Sequence, residues 1–459
     1  MSKRFDAIVV GAGQAGPALA VRLASAGMQT ALIERNLFGG TCVNTGCIPT
    51  KTLVASARVA HVARGAAPYG VDIDGAVSVD MRRVKARKDA VVEASRNGVE
   101  SWLRGTPNVS VIRGHARFAG PKRLAVDGEH YEAERIFLNV GARPSAPPIA
   151  GLSEVPNLTS STMMDVDFLP QHLVVIGGSY IGLEFAQMYR RFGARVSVVE
   201  MAPRIIPRED PEVSDAIRGV LEKEGVEIHT GAQCISVRKD GAGIALGVAC
   251  EGEAPAIRGS HLLVAAGRRP NTDDLALDAA GIETDAQGYI PVNDALETRV
   301  PGVYALGDVN RRGAFTHTSY NDYEIVAANL LDGTNRKVSE RIPVYALFVD
   351  PPLGRVGATE AEVRKSGRPA LVARMPMSRV GRARERGETA GFMKAVVDAQ
   401  TEKILGAAIF GIEGDEAIHV FIEAMNAGLP YTAIQRAVAI HPTVAELLPT
   451  LLERLKPLE

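Results

Sequence analysis

Short apolar runs alternate with glycine-rich turns and helical patterns along the chain, and the first such group stands at its start. Residues 5–10 read Phe-Asp-Ala-Ile-Val-Val, a mainly apolar run that predicts a β-strand. A glycine-rich turn and a stretch of small residues that predicts a helix follow, and a second apolar run extends from Gln29 to Ile33. This succession predicts a βαβ unit whose two strands lie parallel in one sheet.

The turn of this unit carries the pattern G-x-G-x-x-G at Gly11, Gly13 and Gly16. Gly11 permits a tight turn, Gly13 lets the backbone approach a pyrophosphate, and Gly16 lets the helix pack on the strand. The helix N-terminus then offers N–H groups to the pyrophosphate. Glu34 ends the second strand, where a carboxylate accepts hydrogen bonds from a ribose 2′-OH. Together these residues predict a dinucleotide site.

A second copy of the arrangement occupies residues 173–200. Its turn has Gly177, Ser179 and Gly182 at the three glycine positions, and its second strand is followed by Glu200. The spacing from the first glycine to the acidic residue equals the spacing in the first copy. Ser179 replaces the middle glycine, and its small side chain still allows a close approach of the backbone. The pattern predicts a second dinucleotide site, and a βαβ unit without a ligand is the alternative.

Residues 39–51 contain Cys42 and Cys47 in a stretch rich in glycine and threonine. A disulfide that closes so short a loop stabilises a fold by only about 2 kcal/mol, so it suits a bond that is opened and closed. Pro49 fits the first turn of a helix, which puts Cys47 at a helix N-terminus, where the dipole favours a thiolate. Lys51 follows four residues later and shares that helix face. The pattern predicts a redox-active dithiol.

Two other interpretations of these cysteines are structural. In the first, the cysteines are small buried residues on an ordinary helix. In the second, they form half of a metal site. A metal site needs a second pair of Cys or His ligands at suitable spacing, whereas Cys234 and Cys250 are single and far apart in sequence. We therefore expect no resident metal.

Length and composition narrow the class of protein. A chain of 459 residues with 46% hydrophobic residues and 46 glycines suits two to four α/β domains. The formal net charge of -1 does not favour nucleic acid or an anionic membrane as a partner, and no apolar run reaches the length of a membrane span. Four cysteines, with no signal peptide before the first strand, favour a cytoplasmic location.

The positions of the motifs, with a proline-rich stretch ending at residue 148, predict four segments. They are 1–148 with the first site and the cysteines, 149–269 with the second site, 270–341 with a further strand, and 342–459 with mixed strands and helices and no nucleotide motif.

These motifs, together with residues 305–308 (ALGD) and 439–446 (AIHPTVAE), resemble those of the FAD-dependent pyridine nucleotide–disulfide oxidoreductases. This is the group of glutathione reductase, lipoamide dehydrogenase and mercuric reductase, and the resemblance covers essentially the whole chain. It implies an α/β fold with two Rossmann-type domains, an FAD domain interrupted by an NAD(P) domain. It also implies a C-terminal α+β domain that forms a homodimer.

The resemblance further implies the cofactor-binding residues. These are Gly11, Gly13, Gly16, Glu34, Thr41, Lys51, Ala116, Gly141, Gly177, Ser179, Gly182, Glu200, Gly267, Asp308, Phe315 and Thr316. Asp308 is expected at the ribityl chain of FAD, and Ala116 at the adenine through its backbone. We expect NADH rather than NADPH as the donor, because the Glu200 carboxylate repels a 2′-phosphate. Arg204 lies close in sequence and opposes this effect, so NADPH stays an alternative.

The catalytic residues that the resemblance implies are Cys42, Cys47, Lys51, Tyr180, Glu184, His441 and Glu446. Cys47 is expected as the thiolate beside the flavin, and Cys42 as the thiol that meets the substrate. Lys51 is expected to pair with Glu184, and Tyr180 to cover the empty nicotinamide pocket. His441 and Glu446 match the acid–base pair that the family places against the Cys42 of the partner chain.

Details within the motifs indicate a subgroup. The C-terminus lacks the cysteine pair of mercuric reductases, and Tyr180 and Ala439 stand where lipoamide dehydrogenase has other residues. The chain looks most like a bacterial mercuric-reductase-like subgroup that includes the reactive-chlorine-resistance flavoprotein. The favoured hypothesis is therefore an NAD(P)H-dependent reductase of a metal ion or small oxidant. The alternatives are a reductase of a small disulfide, including lipoamide, and a structural subunit of a dehydrogenase complex.

Overall fold

The computed structural model describes residues 2–248 and 256–459, and Cys250 lies outside them. Within these residues the strands are β1 Lys3–Val10, β2 Thr30–Glu34, β3 Val109–Arg113, β4 Arg117–Gly120, β5 Arg123–Val126, β6 Glu129–Leu138, β7 Ala142–Pro144, β8 Leu158–Thr159, β9 His172–Ile176, β10 Arg195–Val199, β11 Val226–His229, β12 Ser236–Asp240, β13 Gly243–Gly247, β14 Ile257–Gly259, β15 His261–Val264, β16 Arg268–Pro270, β17 Val303–Ala305, β18 Val344–Leu347, β19 Leu353–Gly357, β20 Ala370–Pro376, β21 Phe392–Asp398, β22 Ile404–Phe410 and β23 Lys456–Pro457.

The α-helices of the same residues connect these strands and cover the sheets. They are α1 Ala15–Ser25, α2 Gly40–Asn44, α3 Cys47–Arg64, α4 Met81–Gly105, α5 Tyr180–Phe192, α6 Pro211–Lys223, α7 Thr316–Leu331, α8 Glu360–Ser366, α9 Gly381–Glu385, α10 Gly414–Ala417, α11 His419–Asn426, α12 Thr432–Gln435 and α13 Leu448–Leu452.

The first sheet has the order β3-β2-β1-β6-β5-β4, and β17 pairs with the C-terminal part of β6, at residues 136–138. Strands β3, β2, β1, β6 and β17 run parallel. The apolar end of β1 is buried because α1 and α7 cover one face of the sheet and the β4–β5 hairpin covers the other. Since β17 lies far along the chain, the segment after the second sheet returns to the first one. The carboxyl ends of β1 and β17 therefore meet at one edge, where ligands bind in such sheets.

The second sheet has the order β11-β10-β9-β15-β8, and all its pairs are parallel. Its first four strands repeat the order found in β3-β2-β1-β6, so the second glycine-rich turn lies at the equivalent edge. Helices α5 and α6 pack on one face, and the antiparallel sheet β12-β13-β14 packs on the other. The short pair β16-β7 connects the two parallel sheets.

The C-terminal sheet has the order β18-β19-β22-β21-β20-β23, and its strands are antiparallel. One of its faces packs against α11 and α13, whereas Leu347, Leu353 and Phe410 join the apolar cluster around α5 and α3. The predicted fold class, with two Rossmann-type sheets and a C-terminal α+β part, is confirmed. The exact domain boundaries stay a prediction.

Candidate active site

A cleft of about 1620 Å³ runs along the edge where β1 and β17 end, and its lining joins both glycine-rich turns to the two cysteines. Seventeen predicted site residues line it: Gly11, Gly13, Glu34, Thr41, Cys42, Cys47, Lys51, Ala116, Gly141, Ser179, Tyr180, Glu184, Glu200, Gly267, Asp308, Phe315 and Thr316. The fold therefore gathers residues from the first 51 positions, the second sheet and α7 around one space.

The first glycine-rich turn leaves room for a large ligand. Gly11 has a φ of +103°, and a Cβ on Gly13 would come 2.9 Å from the Asn139 side-chain oxygen. Helix α1 starts without a side-chain cap from Gln14, so the N–H of Ala15 in its first turn is available to an anion, whereas that of Gly16 donates to Asn139. The Glu34 carboxylate accepts from the backbone N–H of Ala12 at 2.7 Å and thereby faces the turn. A pyrophosphate and a ribose fit these donors and this acceptor, as FAD binding requires.

The second turn repeats this geometry. Glu200 accepts from the N–H of Gly178 at 2.7 Å and from the N–H of Ala202 at 2.8 Å. Ser179 has φ -106° and ψ -172°, an extended conformation that any residue adopts, so the missing glycine does not distort the turn. Helix α5 also begins without a side-chain cap. The turn keeps the donors and the acidic residue that an NAD(P) site needs.

Three predicted cofactor residues, Gly16, Gly177 and Gly182, do not line the cleft. A Cβ on Gly16 would collide with the carbonyl oxygen of Gly11, and one on Gly182 with that of Gly177. Their missing side chains let each helix approach the turn that precedes it. These glycines affect the two sites through the backbone packing of the turns and not through contact with the cleft.

Cys42 lies on α2, and Cys47 is the first residue of α3; both are free thiols. The Thr316 hydroxyl lies 3.0 Å from the Cys47 sulfur. Hydrogen bonds from Cys42 and Thr316 and the nearby charge of Lys51 lower the pKa of Cys47 to about 6, although burial opposes this change. The interaction with Cys47, together with burial, raises the pKa of Cys42 well above its usual value. The surroundings therefore favour a thiolate at Cys47 and a protonated thiol at Cys42.

Lys51 and Glu184 form an ion pair beside the thiols. The Lys51 ammonium lies 3.0 and 2.8 Å from the two Glu184 oxygens. Glu184 is largely buried and also accepts from the N–H of Phe348 at 3.0 Å. The Phe348 ring lies 4.4 Å from the ammonium, which adds a cation–π contact. The pair therefore places a fixed positive charge one helical turn from Cys47.

His441 and Glu446 stand apart from the cleft of their own chain. The Nδ1 atom of His441 lies 2.8 Å from a Glu446 oxygen, so the carboxylate orients the ring. The His441 side chain is 79% exposed, and the neighbouring Val438 and Ile440 are 100% and 80% exposed. Neither residue lines the cleft that contains Cys42.

An aromatic cluster lines the part of the cleft beside the second turn. We define it as Tyr180, Phe315 and Tyr345, and all three rings line the cleft. Tyr345 stacks on Phe315 at 5.7 Å between ring centroids, with an interplanar angle of 8°. Tyr180 meets the Tyr345 ring edge-on at 5.6 Å and the Phe315 ring edge-on at 6.1 Å. Burial raises the pKa of the Tyr180 hydroxyl.

Sequence reasoning missed Asn139 and Tyr345. The Asn139 side chain accepts from the N–H of Gly16 at 3.0 Å and donates to the carbonyl of Leu306 at 3.0 Å, so it joins the first turn to the segment after β17. Asn139 directly follows strand β6, and a polar residue at the end of a buried strand was a usable signal. Tyr345 belongs to no motif.

Among the described residues, no group of three or more His, Cys, Asp or Glu side chains is arranged to hold a metal ion. None of the helices in this part of the chain has both the length and the apolar character needed to span a bilayer.

Two family profiles cover most of the chain. The pyridine nucleotide-disulphide oxidoreductase profile matches residues 5–322, and the dimerisation domain of the same family matches residues 344–452. The chain belongs to this family. It is therefore a flavin-dependent enzyme that uses FAD and NAD(P)H, which confirms the predicted cofactors, and it carries the dimerisation domain of its family.

Individual relatives support this assignment. The chain is 36% identical to the probable pyridine nucleotide-disulfide oxidoreductase RclA of Escherichia coli, with 99% of this chain and 100% of RclA covered. It is 36% identical to a dihydrolipoyl dehydrogenase of Thermus scotoductus (97% and 96% covered) and 32% identical to a mercuric reductase of Lysinibacillus sphaericus (96% and 81% covered). The solved structure of a Cu(II) complex of E. coli RclA, an HOCl-induced flavoprotein disulfide reductase, superposes with a TM-score of 0.90 at 35% identity, covering 99% of each chain.

Proposed function

We propose that the enzyme passes electrons from NAD(P)H through the Cys42–Cys47 pair to a metal ion or a small oxidant. The observation that carries the proposal is the asymmetry of the two thiols. Cys47 has a pKa lowered to about 6 at the start of α3, whereas the pKa of Cys42 is raised. A pair that exists as one thiolate and one thiol near neutral pH is suited to two-electron chemistry.

The cofactor supplies the two-electron transfer between NAD(P)H and the protein. The protein's own part begins with the disulfide between Cys42 and Cys47. Two electrons and one proton break the S–S bond and leave a thiolate on Cys47 and a thiol on Cys42. Lys51 stabilises the Cys47 thiolate by its positive charge, and Glu184 holds the Lys51 ammonium in place. Cys42 is then free to meet the substrate.

We place the acid–base pair of a second subunit opposite Cys42. The exposure of His441, Val438 and Ile440 supports this placement, because a contact with a partner chain would cover them. The His441 ring would take the proton from Cys42 as the substrate is reduced, and Glu446 would orient the ring and balance its charge. The proposed working unit is a homodimer, and a cytoplasmic location stays a prediction.

A metal ion or a small oxidant is the favoured electron acceptor. The E. coli RclA that resembles this chain has been crystallised with Cu(II), and mercuric reductases are also among its relatives. Because a dihydrolipoyl dehydrogenase is among the relatives, a small disulfide or dithiol is the second candidate substrate. The presence of Cys42, Cys47, Lys51, His441 and Glu446 argues against a purely structural subunit.

The test is anaerobic reduction with NADH followed by separate additions of Cu(II), Hg(II), a quinone, lipoamide and glutathione disulfide. We expect a metal ion or the quinone to reoxidise the two-electron-reduced enzyme faster than either disulfide. The Cys42→Ser variant serves as the control, because an acceptor that reacts at the dithiol loses its reaction there. Faster reoxidation by lipoamide or glutathione disulfide would overturn the proposal in favour of a disulfide reductase.

A further inference from the structure

The hydroxyl of Tyr345 makes a hydrogen bond that the mechanism above does not use. It donates to Oε1 of Glu209, a residue of the loop that follows the second glycine-rich unit. Tyr345 lies on β18 of the C-terminal sheet, whereas Glu209 directly precedes Asp210 at the start of α6. The bond therefore joins two parts of the fold at the wall of the cleft.

Glu209 is a rigid anchor for this hydroxyl. Its side chain is fully buried, and its other oxygen, Oε2, lies 3.0 Å from the guanidinium of Arg355, which is buried as well. Arg355 in turn lies 3.1 Å from Asp210. Burial and the negative charge of Glu209 raise the pKa of Tyr345, so its hydroxyl stays protonated and keeps donating. Neither partner of the bond has freedom to move far.

The ring that this bond fixes is the support of Tyr180. Tyr345 stacks on Phe315, and its ring lies nearly perpendicular to the ring of Tyr180, with an interplanar angle of 83°. Tyr180 is the first residue of α5, so its backbone is held by the helix, and rotation of its side chain is the movement open to it. Whatever holds the Tyr345 ring in place also limits that rotation.

We infer that Tyr345, anchored on Glu209, is a positioning residue that holds Tyr180 across the nicotinamide pocket. The inference rests on the proposed role of Tyr180 as the cover of that pocket. A cover that must move before the nucleotide docks lowers the apparent affinity by the fraction of molecules in which the pocket is open. Loosening the Tyr345 anchor raises that fraction, so it strengthens nucleotide binding while leaving the reacting groups untouched.

The test measures binding of NAD⁺ to the oxidised FAD-loaded enzyme by titration calorimetry. Tyr345→Phe keeps the stacked ring and removes only the hydroxyl, and we expect the dissociation constant to fall by about threefold or more. Tyr345→Leu removes the ring as well and should lower it at least as far. In stopped-flow experiments, the half-saturating NADH concentration for bleaching of the flavin should fall equally, while the maximal rate stays the same.

Tyr131→Phe is the matched control. It also removes a tyrosine–carboxylate hydrogen bond, the 2.5 Å bond to Glu129, from a buried tyrosine that does not line the cleft. We expect NAD⁺ binding to stay at the wild-type value in this variant. Thermal unfolding of each variant identifies a general loss of structure, which would weaken binding and not strengthen it.

A double-mutant cycle with Tyr180→Ala separates the outcomes. In the Tyr180→Ala background, Tyr345→Phe should have no further effect, because the group through which it acts is gone. An equal effect in both backgrounds, or unchanged binding in Tyr345→Phe alone, would overturn the inference. If Tyr180→Ala itself leaves NAD⁺ binding unchanged, Tyr180 does not cover the nicotinamide pocket, and the inference about Tyr345 is wrong with it. None of these measurements depends on the identity of the final electron acceptor.

Discussion

The two cysteines differ in chemistry because their surroundings differ, and single substitutions should separate their roles. In the two-electron-reduced enzyme, we expect a long-wavelength absorbance band from the Cys47 thiolate beside the flavin. Cys47→Ser should abolish the band because the thiolate is gone. Cys42→Ser should keep it permanently, because Cys47 then has no disulfide partner. Anaerobic spectra with and without NADH make the comparison, and full substrate turnover in both variants would disprove the dithiol mechanism.

The charge of Lys51 should be measurable through the acidity of Cys47. With a pKa lowered to about 6 from the usual 9.0, the thiolate is present above that pH and is lost as the pH falls through it. Lys51→Met removes the stabilising cation and leaves the Glu184 charge unbalanced, so the midpoint of the absorbance band should move up by about one pH unit or more. Glu184→Gln should move it in the opposite direction, because the Glu184 charge raises the pKa of Cys47. A midpoint that is the same in all three proteins would contradict this view of the ion pair.

At the scale of secondary-structure elements, the second βαβ unit should determine the nucleotide preference. Two backbone N–H groups hold the Glu200 carboxylate in place, so its negative charge would repel the 2′-phosphate of NADPH. Arg204 pairs with Asp215 and does not line the cleft, whereas Arg208 does line it. Glu200→Gln keeps the acceptor and removes the charge, so the ratio of kcat/KM for NADH to that for NADPH should fall about tenfold.

Glu227→Gln on the neighbouring strand is the control for this experiment. Glu227 pairs with Arg195 outside the cleft, so the ratio should not change there. A wild-type enzyme that already uses NADPH at least as well as NADH would show that Glu200 does not discriminate.

How much the sequence predicts depends on whether a feature is local. The glycine-rich turns, the acidic residues after the second strands and the start of α3 at Cys47 follow from short patterns, because backbone geometry demands those residue types. The Lys51–Glu184 contact joins positions far apart in sequence and was expected from resemblance alone. The Tyr345–Glu209 bond was missed, because no local pattern relates a tyrosine on an antiparallel strand to a loop of another sheet.

At the scale of the whole molecule, buried charges join the second sheet to the C-terminal sheet. The Lys394 ammonium on β21 is buried and lies 2.8 Å from Asp210 and 2.7 Å from both Glu212 and Glu360. Lys394→Met removes this buried cation, while Arg355 still pairs with Asp210 and Arg374 with Glu212 and Glu360. The remaining charges are then unevenly balanced in a buried place, so we expect a loss of about 3 kcal/mol in the free energy of unfolding. Chemical denaturation measures it, and the exposed Lys365→Met is the matched control. A loss in the free energy of unfolding below about 1 kcal/mol would mean that these charges contribute little to the contact between the second sheet and the C-terminal sheet.

The largest assembly question is whether two chains share each active site. The His441 side chain is exposed and does not line the cleft of its own chain, whereas Cys42 does. If the partner supplies His441, Cys42→Ser and His441→Ala each inactivate both sites of their own dimers. After complete subunit exchange of an equal mixture, half of the dimers are mixed, and each has one site with both lesions and one with neither. About a quarter of the wild-type activity should therefore return. Exchange should be verified independently, for example with differently tagged chains. Verified exchange without recovery of activity would mean that each site is built within one chain and that the placement of His441 is wrong.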